Sequence, residues 1–153
     1  MDADDSLIAL IYNQEEEIVK GDSQDLIALQ YTTKTATSIY EALKRLGYPT
    51  VMVPVRDDLE AFARELGQYS PRNTFVFNVC DGFAGDNFSA SLIPQALKEL
   101  GFKYTGSKSE AVRLCTDKAR AKRAMIEAGV PCVPGYQGDD QSDATLVREA
   151  KAI

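Results

Sequence analysis

The stretch TVMVPVRDDLEAFARELGQYSPRNTFVFNV, residues 50–79, decides the fold. Thr50-Val51-Met52-Val53-Pro54 reads as a strand, Asp58 to Leu66 as a helix ending at Gly67, and Thr74-Phe75-Val76-Phe77-Asn78-Val79 as another strand. Upstream, Leu7-Ile8-Ala9-Leu10-Ile11-Tyr12 is a short apolar run of the kind that a parallel sheet buries on both faces. An acidic, polar loop is expected from Asn13 to Asp25, and the helical pattern is clear from Thr32 to Leu46, ending at Gly47. The order is therefore β-α-β-α-β.

Downstream the alternation continues. Ser89 to Leu100 reads as a helix with Gly101 at its stop, and Pro94 in its first turns predicts a late start or a bend. Lys103-Tyr104-Thr105 is a short fourth strand leading into Gly106. Ser107 and Glu110 match a capping box, and Thr116 reads as the cap of the next helix, which stops at Gly129-Val130-Pro131. Strands alternating with helices predict an α/β fold, a right-handed, doubly wound, mainly parallel sheet with helices on both faces. Ligands of such sheets sit at the carboxyl ends of the strands, which places the loops at Asn13, Cys80 and Gly106 on the binding edge. Beyond Gly129 a brief extended segment precedes a helical pattern from Ser142 to Ile153, whose apolar residues Ala144, Leu146, Val147 and Ala150 have no following strand to pack on. The sequence thus reads as two parts, 1–115 and 116–153, with the second cut short.

Composition narrows the chemistry. The 153 residues are 44% apolar and 26% charged, as in a folded soluble protein, and no apolar run approaches the length of a membrane span. Met1-Asp2-Ala3-Asp4-Asp5 is acidic where a secretory signal would be basic, so a cytoplasmic location is expected, with Cys80, Cys115 and Cys132 as thiols. With no histidine in the chain, histidine-based catalysis and Cys-His metal sites are excluded for it, and no metal ligands are assigned. A net charge of -6 argues against nucleic acid as the main partner. The local exception is Lys118, Arg120, Lys122 and Arg123, a small basic face suited to one polyphosphate ligand or, alternatively, an ordinary solvated helix side.

Two places carry candidate chemistry. Lys118 stands at the start of a helix, where a cation opposes the macrodipole unless an anion is near, so it reads as a phosphate ligand or else as a solvated lysine. The loop Cys80-Asp81-Gly82-Phe83-Ala84-Gly85-Asp86-Asn87 has two glycines, Gly82 and Gly85, that let backbone amides approach a ligand, with Asp81 and Asp86 as polar contacts. Ordinary turn chemistry is the alternative, and the Gly-Lys-Ser/Thr ending of a P-loop is missing. Glu15-Glu16-Glu17 could bring a carboxylate to the same edge. No residue is assigned as a catalytic acid or base.

The chain resembles the front of an ATP-grasp ligase. Tyr12-Asn13, Phe77-Asn78-Val79-Cys80-Asp81-Gly82, Pro94-Gln95-Ala96-Leu97 and Gly101-Phe102-Lys103-Tyr104-Thr105-Gly106-Ser107 resemble the N-terminal, Rossmann-like pre-ATP-grasp domain of D-alanine:D-alanine ligase-like proteins. From Asp117-Lys118-Ala119 through Lys122-Arg123-Ala124-Met125-Ile126 and Ala128-Gly129-Val130-Pro131-Cys132-Val133-Pro134-Gly135-Tyr136 to Ile153, the closer resemblance is to biotin carboxylases. Both resemblances imply that Lys118 contacts ATP phosphates. The dipeptide ligases carry an acidic residue just ahead of their first helix; by helix alignment Gln30 falls near that position, and Glu15 to Glu17 are candidate substitutes. The family's His-Gly is replaced here by Asp81-Gly82.

What the resemblance implies is an ATP- and Mg2+-dependent activation of a small carboxylate or amino acid as an acyl phosphate, followed by attack of an amine. The second lysine, glycine-rich flap and magnesium carboxylates of that family are expected beyond Ile153, so this chain alone is expected to be inactive. Two alternatives stand beside this: a fragment of a biotin carboxylase, with bicarbonate as the activated carboxylate, and a noncatalytic dimerising or ligand-binding module. Both resembling families use this region in dimer contacts, so a homodimer is expected.

Overall fold

A computed structural model describes residues 6–14, 23–56, 58–82 and 86–133. Its elements run β1 (Leu7–Asn13), α1 (Ser23–Arg45), β2 (Thr50–Val55), α2 (Leu59–Leu66), β3 (Thr74–Asn78), a 3-10 turn (Asn87–Ser91) into α3 (Leu92–Glu99), β4 (Lys103–Tyr104), α4 (Ser109–Thr116) and α5 (Lys118–Glu127). The chain divides into two compact units, 1–112 and 113–153, described separately below.

The first unit is built on a four-stranded sheet in the order β2-β1-β3-β4. All pairings are parallel: Ile8 lies opposite Thr50 on one side of β1, and Leu7 opposite Thr74 on the other. Alternation of side chains across β1 sorts the core into two layers. Ala9 and Ile11 join Val53, Val55 and Val76 beneath Phe62 and Leu66 of α2 and Ile93 and Leu97 of α3. Leu10 and Tyr12 point the other way, against Ala36, Ile39 and Tyr40 of α1. Helices therefore cover both faces, and the fold is doubly wound α/β, as the apolar runs predict. Leu10, Ile11, Val53 and Leu97 have no solvent exposure. Each such burial contributes about 1.5–3 kcal/mol.

Helix boundaries depart from expectation in instructive ways. α1 begins at Ser23, so Ser23-Gln24-Asp25 is helix rather than loop. Its Thr- and Ser-rich middle stays helical by turning hydroxyls inward, Thr37 Oγ1 donating to the Thr33 carbonyl at 2.9 Å and Ser38 Oγ to that of Lys34 at 3.0 Å. Pro54 is accommodated because β2 is an edge strand. α3 does start late, at Leu92, which puts Pro94 among the first-turn positions that have no amide partner to lose. Gly101 (φ 80°) then ends α3, with Phe102 N–H returning to the Leu97 carbonyl at 2.9 Å, and this turn aims the chain into β4.

The expected capping box is displaced: Ser109, not a residue following Ser107 directly, opens α4. Glu110 instead lies 3.9 Å from Lys98 as an exposed ion pair. Among the described residues, no helix is long and apolar enough to cross a membrane.

Candidate functional site

The chain leaves β1 toward β2 on one side and reaches β3 on the other, so the carboxyl ends of β1 and β3 flank the point where the strand order reverses. Asn13, the last residue of β1, stands there with 5% of its surface exposed. Its Oδ1 accepts the Asp81 N–H at 3.0 Å, across the crevice. The loop after β3 is shaped by two further side chains. Asn78 Oδ1 accepts the Cys80 N–H at 2.9 Å, which turns the chain out of the sheet, and Thr105 Oγ1 accepts the Asn78 N–H at 2.9 Å. Val79 N–H still reaches the Ile11 carbonyl at 3.0 Å, so the loop leaves from alongside β1. The loops at Asn13, Cys80 and Gly106 thus share one edge, as the strand order requires.

Of the loop residues named from sequence, Asp81 and Gly82 belong to this edge. Asp81 is exposed and lines a cavity of about 250 Å³ with Val79 and, from α1, Tyr31, Thr32 and Thr35. Gly82 has φ 134°, and a Cβ there would stand 3.2 Å from Ser89 Oγ and 3.4 Å from the Asp86 carbonyl oxygen. Glycine is needed there both for conformation and for close approach. Asp86 is occupied as a helix cap: its Oδ1 accepts the Phe88 N–H at 2.9 Å, and its carbonyl accepts the Ser89 hydroxyl. Gly85 and Glu15-Glu16-Glu17 lie outside the described residues. Gln30 lies inside α1, so it does not occupy the position ahead of the first helix that the alignment of patterns suggested.

Arg56 and Gln14 on this edge escaped the sequence reading. Arg56, just past β2, donates from Nη2 to Gln14 Oε1 at 2.8 Å, closing the β1 and β2 ends together. Tyr12 is buried beside them; burial pushes its phenol pKa above the ordinary 10.0, the Arg56 charge opposing and Glu65 adding to the rise. The only local signal was a polar residue placed directly after each apolar run. Cys80 is half-buried, and the three cysteines are free thiols.

In the second unit, Asp117 rather than Thr116 is the N-cap of α5: its Oδ1 accepts the Arg120 N–H at 3.0 Å. Thr116 is the last residue of α4. Lys118 is the first residue of α5 and is exposed, as are Arg120 and Arg123. The anion that the helix start calls for is therefore the Asp117 carboxylate, and the macrodipole alone does not require a phosphate at Lys118. The helix ends as expected at Gly129 (φ 76°), with Val130 N–H on the Met125 carbonyl at 2.9 Å. No group of three or more carboxylate, cysteine or histidine side chains among the described residues could hold a metal ion.

No protein-family model matches the chain. The D-alanine–D-alanine ligase of Moorella thermoacetica is 28% identical over 123 residues, covering 80% of this chain and 37% of the ligase. The mitochondrial methylcrotonoyl-CoA carboxylase subunit alpha of Arabidopsis thaliana is 30% identical over 138 residues, 77% of this chain and 19% of that subunit. The biotin carboxylase of Haemophilus influenzae is 37% identical over 73 residues, 47% of this chain and 16% of the enzyme. The chain spans well under half the length of each of these relatives. A match over 77% of the chain necessarily runs through the sheet as well as the tail, so the carboxylase likeness is not confined to the end of the sequence. These relatives are all ATP-grasp proteins, and the similarity of this chain, partial and distant in each case, is to that family.

Proposed function

We propose that residues 1–115 form the substrate-side domain of an ATP-dependent carboxylate–amine ligase, and that residues 116–153 begin the unit that holds the nucleotide. The observation that carries this reading is the likeness to a D-alanine–D-alanine ligase over 80% of the chain. The strand-end crevice supports it, because the segment from Asn78 to Asp81 that opens its loop is held by the side chains of Asn13, Asn78 and Thr105. Such preorganisation lowers the cost of orienting a substrate. The reaction is activation and transfer. A carboxylate oxygen attacks the γ-phosphorus of ATP and ADP departs; the amine nitrogen then attacks the carbonyl carbon of the acyl phosphate, inorganic phosphate leaves, and the nitrogen gives up a proton to base or solvent.

In this scheme Lys118 neutralises phosphate charge, and the support for that role is the resemblance at Asp117-Lys118 rather than the helix dipole. Asp81 and Gly82 shape the substrate side; Asp86 holds the turn behind them. Magnesium, which accompanies ATP in this chemistry, would take its protein ligands from residues other than those described. The domain works in the cytoplasm as part of a homodimer.

A second reading has its own support. The likeness to a biotin carboxylase and to a carboxylase subunit alpha favours bicarbonate as the activated carboxylate. Trapping separates the two. With the native gene's product, ATP and hydroxylamine, the ligase reading expects a hydroxamate from an amino-acid carboxylate, and the carboxylase reading expects ATP turnover that depends on bicarbonate. If neither carboxylate stimulates ADP release, both readings fail.

A further inference from the structure

We draw no further inference here: the strongest candidate outside the strand-end crevice, the exposed apolar patch that Met125 and Ile126 of α5 make with Val130 just after it, carries nothing, because nothing in the structure shows what covers it.

Discussion

Asn13 Oδ1 and the Asp81 amide, 68 positions apart in sequence, meet at 3.0 Å and join the end of β1 to the loop after β3. The bond crosses the one gap in the sheet edge where the chain passes on both sides, so it sets the position of the candidate substrate loop. Asn13→Ala removes the acceptor and leaves the amide to water. We expect a loss of about 1 kcal/mol in urea denaturation, with faster hydrogen exchange at the Asp81 amide than at amides within β1. Unchanged exchange at Asp81 would show that the loop is held without Asn13.

Gly82→Ala tests the turn itself. With φ at 134° and Ser89 Oγ 3.2 Å from the added Cβ, alanine must be strained and must also displace Ser89. The expected cost is about 1–3 kcal/mol, read as a lower denaturation midpoint without a change in slope. A neutral substitution would mean that the loop relaxes freely and that its geometry is not fixed by Gly82.

The parallel sheet was legible because its strands are apolar runs bounded by turn residues, and Leu7–Tyr12 and Thr74–Asn78 are both of this kind, although Phe75 in the second is exposed. The glycine after α3 was legible for a local reason too, since a left-handed residue is where a helix stops. What was not legible is what depends on distance in sequence. Nothing near Asn13 announces a bond to Asp81, and nothing near Arg56 announces Gln14. The start of α1 was missed because Ser23-Gln24-Asp25 has the composition of a loop, and its helical state is fixed by the residues that follow. Asp117 was overlooked as a cap because Thr116 beside it is an equally good capping type, and only the backbone register decides between neighbours.

Tyr12 gives the fold a pH dependence at its alkaline end. The folded protein holds the Tyr12 proton to higher pH than the unfolded chain, because burial disfavours the phenolate. Below the ordinary tyrosine pKa of 10.0 this contribution to stability is fully present, and it is lost as pH rises through the folded value. Urea midpoints measured from pH 8 upward should therefore fall more steeply above pH 10 in the parent than in Tyr12→Phe, which has no proton there to lose. Parallel curves for the two proteins would contradict the burial argument.

The account stands or falls on the nucleotide. Isothermal titration of ADP and ATP into the native gene's product and into its Lys118→Ala variant is the direct measurement. Deleting a solvated charge weakens an interaction by at most about 5-fold. The account predicts that both nucleotides bind the parent and that Lys118→Ala weakens them by about tenfold or more, with the urea midpoint unchanged. Equal affinities in the two proteins, or no binding to the parent, would contradict it.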